Sequence, residues 1–366
     1  MRLKEYQGKE IFRKYGINIP KGFVISKLSD LNKKLNTLKS SEYTVKAQIL
    51  IGKRGKLGAV KFADKNNIKS ITSSLLNKNF DGYIAKEFLI EEKFELNEQI
   101  YLGLTLSRKT NNYILIYSDK GGADIEEISI KEPKSIKKIT FFRPNKKELV
   151  KIFNDSKYKK ELVKTTQKLF QIMLDYDAIL VEINPLIIIK NKIIALDSKI
   201  ILDDNALFRH PEFIKEKEMQ LSRLEREAFH SGISFVQLNG NIAVISNGAG
   251  LVMATLDLIN YYGGKPANFL DIGAGAGMKE IFEGLKILLE ENPKGIFINV
   301  FAGMTRCDEI AEGIVKFKRK YNKKIPFVVT MIGTNENKAK KILEKENIEM
   351  LDSMESCVKK IINLVK

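Results

Sequence analysis

The 366-residue sequence predicts an α+β segment followed by an α/β segment built on a parallel sheet. Two observations carry this expectation. From Asn241 onward, short β-branched runs, glycine turns and amphipathic stretches alternate regularly, which is the pattern of repeated βα units. Before about residue 210, alternating strands instead follow one another across short polar turns, with few long helices.

In the first segment, strands are expected near 23–26, 43–48, 59–63, 83–90, 100–107, 112–117, 179–189 and 192–202, with helices near 5–15, 67–77 and 146–175. Residues 205–235, opening Asn205-Ala206-Leu207-Phe208-Arg209-His210, are densely charged and read as a connection. The expected domains are therefore 1–225 and 226–366. In the second, strands are expected at Ile242–Ser246, Asn268–Ile272, Ile296–Phe301, Phe327–Ile332 and Ile348–Leu351. Helices are expected near 251–260, 278–291, 308–320, 336–346 and 354–365. Five such units make a five-stranded parallel sheet of flavodoxin-like or Rossmann-like type.

The length is enough for each segment to bury a core without disulfides. Cys307 and Cys357 are the only cysteines, which fits a reducing compartment and offers no zinc or iron–sulfur cluster. The polar N-terminus lacks a signal-peptide core, and no apolar run is long enough for a membrane span, so a cytoplasmic protein is expected. Sixty-two Lys and Arg against 45 Asp and Glu leave a net charge of +17. Most of the excess is Lys dispersed over the chain, without an Arg-rich tail or interleaved aromatics, so a solvated surface is favoured over a nucleic-acid interface.

Three strands of the second segment run into small-residue loops: Asn247-Gly248-Ala249-Gly250, Gly273-Ala274-Gly275-Ala276-Gly277 and Ala302-Gly303-Met304-Thr305. In an open parallel sheet such loops gather at one edge, where helix N-termini favour anions. Glycine also serves tight turns that bind nothing, but three loops together favour an anionic or phosphorylated ligand. The spacing is not that of a dinucleotide fingerprint, since Met278 stands after Gly277.

In the first segment, alternation along Val181-Glu182-Ile183-Asn184-Pro185 puts Glu182 and Asn184 on one face. A turn at Lys190-Asn191 would set Asp197 opposite Asn184, and a carboxylate beside an amide oxygen suits Mg²⁺. Lys46 shares a polar strand face with Thr44 and Gln48, ahead of the cationic, glycine-containing loop Gly52-Lys53-Arg54-Gly55-Lys56-Leu57-Gly58, as where a polyphosphate is covered. His210 and His230 lie outside every glycine loop, so a phosphohistidine, if one is used, must come from another chain.

Taken together these residues make the chain similar, nearly end to end, to the β subunits of succinate–CoA ligases. The likeness rests on Leu3-Lys4-Glu5-Tyr6-Gln7-Gly8-Lys9-Glu10-Ile11-Phe12, Val181 to Leu186, Asp203 to Arg209, Asn247 to Leu251, Pro266 to Asp271 and Arg306-Cys307-Asp308. It implies an ATP-grasp domain followed by a CoA-ligase domain, working with an α subunit that carries the phosphohistidine and CoA, as an αβ or α₂β₂ assembly. The reaction implied is reversible: succinate, CoA and ATP give succinyl-CoA, ADP and phosphate, within the tricarboxylic acid cycle. By the resemblance Lys46, Lys53, Arg54, Gly55, Glu91, Phe94 and Gln99 hold the nucleotide, and Asn184 and Asp197 hold Mg²⁺. Asn247, Gly303, Met304 and Thr305 meet the substrate, and Glu182 orients the visiting histidine.

The chain departs from the family pattern at Lys53 and Ala59, where paired glycines are usual, at Ala274 within a usual glycine run, and at Gln99, where a glutamate is usual. These read as drift, since Gln still hydrogen-bonds and Ala is tolerated where φ is negative. A ligase for another acid such as malate, use of GTP, or a non-catalytic nucleotide-binding subunit are the competing readings; the full set Lys46, Glu91, Asn184 and Asp197 speaks against the last.

Overall fold

A computed structural model of the chain describes residues 1–366 apart from Arg108, Ala123, Asp124 and Asn191. It divides into two compact units, Met1–Ile214 and Lys215–Lys366. The division falls before the expected 225/226, because the helix Arg223–His230 buries Leu224 and Ala228 in the core of the second unit.

The strands of the first unit are β1 (Gly22–Ile25), β2 (Glu42–Ala47), β3 (Val60–Asp64), β4 (Asn79–Phe80), β5 (Tyr83–Ile84), β6 (Phe88–Glu92), β7 (Gln99–Leu106), β8 (Tyr113–Ser118), β9 (Ile136–Phe141), β10 (Ala178–Ile189), β11 (Lys192–Ala195) and β12 (Lys199–Leu202). A small antiparallel sheet runs β1-β6-β2-β3, and a larger one β11-β10-β7-β8-β9, with β12 also pairing β10. Tyr43, Val45, Phe88 and Ile90 build the core of the small sheet. Leu102, Leu104, Val181 and Ile183 pack with Leu162, Leu169 and Ile172 of the helix Lys159–Asp175 behind the larger one. The chain start is tied to that sheet, with Leu3 N–H donating to Ile200 O and Leu202 N–H to Met1 O.

Three expected elements of this unit are each broken in two. The helix expected at 146–175 is two helices, Lys146–Ile152 and Lys159–Asp175, parted by a polar turn where Ser156 N–H bonds Phe153 O. The strand expected at 83–90 divides into β5 and β6, and that at 192–202 into β11 and β12, leaving Leu196–Ser198 outside the ladder. Strand β9 was not foreseen; its adjacent Lys137 and Lys138 mask the alternation. Asn191, in the expected turn, lies outside the described residues.

The second unit has β13 (Ser234–Gln237), β14 (Ile242–Ser246), β15 (Asn268–Asp271), β16 (Gly295–Ala302) and β17 (Phe327–Gly333), in the order β13-β15-β14-β16-β17. The expectation of five parallel strands is corrected: four are parallel, and the fifth, β13, is antiparallel to β15 at the edge. Ile348–Leu351 is not a strand. It makes one bridge, Met350 to Val329, before Ser353 caps the next helix. Helices cover both faces, with Leu285, Ile310 and Leu343 in one core and Val252, Val358 and Ile361 in the other.

Gly313 marks a close helix contact, between Cys307–Tyr321 and Met278–Glu290, since a Cβ there would lie 2.9 Å from Met278 O and also strike Ile281. Gly313→Ala gains about 1 kcal/mol of helix propensity but overpacks the contact at about 1–3 kcal/mol. A lowered thermal midpoint for this variant is the expected result of a melting experiment.

Candidate functional site

The two sheets of the first unit enclose a cavity of about 590 Å³, within the range of small-ligand sites. Ten sequence-predicted residues line it: Lys46, Lys53, Arg54, Gly55, Glu91, Phe94, Gln99, Glu182, Asn184 and Asp197. Their positions follow from strand alternation. Val181 and Ile183 are fully buried behind β10, so Glu182 and Asn184 turn to the cavity. Leu186 pairs with Ala195 and Glu182 with Lys199, a common register that sets Asn184 opposite Asp197.

A dense ion network forms the floor. Lys46 Nζ lies 2.8 Å from Glu5 Oε1 and 2.9 Å from Glu91 Oε2, and donates to Leu196 O at 2.5 Å. Lys9 Nζ lies 2.7 Å from Glu91 and 2.8 Å from Glu5. Arg54 Nη2 is 2.8 Å from both Glu5 Oε2 and Asp197 Oδ1. Burial alone would raise the Glu5 carboxyl, but Lys46, Lys9 and Arg54 outweigh it and hold it well below the usual carboxylate range. Burial lowers the Lys9 ammonium against the pull of Glu5 and Glu91, whereas around Lys46 and Arg54 the carboxylates prevail over burial and raise both. The cations facing the cavity are thus held charged. Arg2 steadies the loop entrance by donating to Leu50 O and Ile51 O.

Gln99 and Asn184 converge near Gly122, whose N–H donates to Asn184 Oδ1 at 2.7 Å. Tyr101 O–H donates to Glu182 Oε2 at 3.0 Å, and Lys199 Nζ stands 3.7 Å from the same carboxylate. Among the described residues no three His, Cys, Asp or Glu cluster as a metal cage. The facing pair Asn184 and Asp197 nevertheless fits Mg²⁺, which takes one or two protein oxygens and completes its shell with water and phosphate.

In the second unit, the order β15-β14-β16 places a topological switch between β14 and β16, where ligands of open α/β sheets sit. Asn247 staples it: its Nδ2 donates to Phe301 O at 2.8 Å and its Oδ1 accepts from Phe301 N–H at 2.9 Å. Thr305 Oγ1 accepts from Gly275 N–H, and Gly303 O from Thr334 Oγ1, so all three loops are cross-linked. Asp271 Oδ1 accepts from the N–H groups of Gly248 and Gly273. Several of the loop donors expected to meet an anion are therefore committed to this chain's own side chains. Met304, Phe301 and Ile332 remain exposed at the rim.

Sequence reasoning missed Glu5, Lys9, Tyr101 and Asp308. Glu5 and Lys9 had an i,i+4 spacing as signal, but that pattern is common on solvated helix faces. Neither His210, bonded to Asp177 at 2.8 Å, nor His230, beside Glu218, belongs to the cavity or the loops.

The family model described as ATP-grasp domain matches residues 2–188, and that described as CoA-ligase matches residues 245–360. The fold is thus that of an ATP-grasp domain joined to a CoA-ligase domain. The chain is 39% identical over 388 residues to "Succinate--CoA ligase [ADP-forming] subunit beta" of Bacillus subtilis, covering 100% of both. It is 39% identical over 375 residues to the corresponding GDP-forming subunit of Thermus thermophilus, covering 100% of this chain and 99% of that one. ATP citrate lyase from Methanothrix soehngenii shares the fold over 99% of each chain, with TM-score 0.74 at 18% identity. This chain belongs to the family of succinate–CoA ligase β subunits, and it is a CoA ligase subunit by that membership.

Asp308, in the first turn of the helix Cys307–Tyr321, binds Arg306, Lys338 at 2.8 Å and Asn335 at 3.0 Å, tying that turn to the helix Glu336–Glu344. Hydrogen bonds from Arg306, Lys338 and Asn335 hold its carboxyl below the usual range. A depressed carboxylate stabilises above its unfolded pKa of about 3.9 and loses that contribution as pH falls below it. Asp308→Asn should therefore melt below wild type at pH 7, with the gap beginning to narrow only below about pH 4 and vanishing as pH falls to the depressed folded value.

Proposed function

We propose that this chain binds ATP in the first unit and, with a separate α subunit, runs the reversible ligation of succinate and CoA at the expense of ATP through a histidine phosphorylated on that subunit, a step of the tricarboxylic acid cycle. The convergence of Lys46, Arg54, Gln99, Asn184 and Asp197 on one cavity carries this reading. Lys46 and Arg54, held charged by buried carboxylates, suit the β- and γ-phosphates; the edge residues Phe94 and Gln99 suit the base and ribose. Asn184 and Asp197 would hold Mg²⁺, which when bound neutralises phosphate oxygens during transfer.

Glu182, oriented by Tyr101 and close to Lys199, would accept a hydrogen bond from the visiting imidazole and keep the other ring nitrogen aimed at the phosphoryl group. In the second unit, Asn247, Gly303, Met304 and Thr305 would meet the substrate against the α subunit, where the exposed rim of Phe301, Met304 and Ile332 offers apolar area. Glu91 takes a supporting part in this scheme, because both its oxygens are engaged by Lys9. ATP is the proposed nucleotide, with GTP as the tested variant.

The test is co-expression with the cognate α subunit, followed by Mg²⁺ and γ-labelled ATP or GTP. Acid-labile label on the α subunit, discharged by succinate plus CoA but not by malate plus CoA, is the expected result; no label with either nucleotide overturns the reading. Asp197→Ala should slow labelling by at least about a hundredfold, since several kcal/mol of charge stabilisation would go with the metal. An unchanged rate in a folded variant would remove Asp197 from the site.

A further inference from the structure

Glu5 and Lys9 lie beneath the cavity, outside its lining, and the chemistry above assigns them nothing. They are nevertheless only 3% and 1% exposed. The helix Glu5–Lys14 sets them one turn apart, and Ser198 Oγ, which donates to Glu5 O at 3.1 Å, fixes the start of that helix against the strand carrying Lys199. Glu5 divides its carboxylate. Oε1 takes Lys46 and Lys9, both at 2.8 Å, while Oε2 faces Arg54 Nη2. That same nitrogen lies 2.8 Å from Asp197 Oδ1, so one guanidinium nitrogen stands between a buried carboxylate and one that faces the cavity.

We propose that Glu5 is a positioning residue: it is the standing counter-ion of Arg54, and by holding that guanidinium it allows Asp197 to release Arg54 when a metal–nucleotide arrives. The inference rests on reading the cavity as the metal–nucleotide site. A buried guanidinium does not give up a carboxylate partner unless another remains, because an unpaired buried charge is strongly disfavoured. Without Glu5, Asp197 would have to serve Arg54 and the metal at once. With Glu5, the Asp197 carboxylate is exchangeable and Arg54 stays aimed at the phosphate end. Lys9 completes the balance, since Lys9, Lys46 and Arg54 face Glu5, Glu91 and Asp197, and it pins Glu5 and Glu91 without reaching the cavity.

Two variants separate this role from simple support of the fold. Glu5→Asp keeps the charge balance but withdraws the carboxylate by one methylene; Glu5→Gln with Lys9→Met removes one charge of each sign. Each full-length variant is titrated with a fluorescent ATP analogue, with and without Mg²⁺, beside thermal unfolding. Both variants are expected to fold and to bind the Mg²⁺-loaded analogue about tenfold more weakly, the effect of weakening one buried ion pair. Metal-free affinity should fall less than about threefold, because Asp197 stays on Arg54 in that state. Equal losses with and without Mg²⁺, no loss, or failure of both variants to fold would each overturn the proposal. A wild-type chain that binds no analogue would instead overturn the nucleotide reading of the cavity itself.

Discussion

The buried exchange of charge between Glu5, Lys9, Lys46, Glu91, Arg54 and Asp197 is the constraint on which the first unit depends. Contacts of 2.7–2.9 Å join the N-terminal helix to strands β2 and β6 of the small sheet and to the segment after β11. Removing one member of a buried pair costs about 3–5 kcal/mol, far more than a surface pair contributes. Such a network is a poor way to gain stability over an apolar core of similar shape. What it provides is fixed placement: two cations delivered to the cavity floor with their charge held and their directions set before any ligand enters.

The geometry above that floor follows from strand period and register. Side chains alternate, so once Val181 and Ile183 take the core, Glu182 and Asn184 must face the opposite way. Antiparallel pairing then brings Asp197 across from Asn184, in the gap between β11 and β12 where the ladder is interrupted. The interruption frees Leu196 O to accept from Lys46 and lets Asp197 Oδ1 accept from Ser198 N–H. A break in regular structure is here the feature that equips the site.

The second unit uses a different device. Parallel strands bring their loops to one edge, and Asn247 locks the two loops flanking the switch point by pairing with both backbone groups of Phe301. Asp271 and Thr305 hold the glycine loops in shape, at φ of +95° for Gly248 and +81° for Gly273, conformations that a side chain would strain. The loop edge is therefore preorganised by the protein's own hydrogen bonds, with apolar side chains left at its rim.

Local pattern in the sequence was enough to determine the two-segment division, most strands, and the facing of Asn184 and Asp197 beside the cationic loop, because alternation and turn residues act over a few positions; Glu91, Phe94 and Gln99 were placed at the site by family resemblance alone. It also carried the family motifs. The antiparallel edge strand β13 was not legible, since Ser234–Gln237 follows a charged stretch and its partner is set by sheet order alone. Nor was the loss of the last strand, where four apolar and polar residues at 348–351 find room for a single bridge. Glu5 and Lys9 show the limit most clearly. In sequence they are one ordinary helical ion pair; only the tertiary structure, by burying that helix face against β2, β6 and the residues before β12, turned them into the interior charges that aim Lys46 and Arg54.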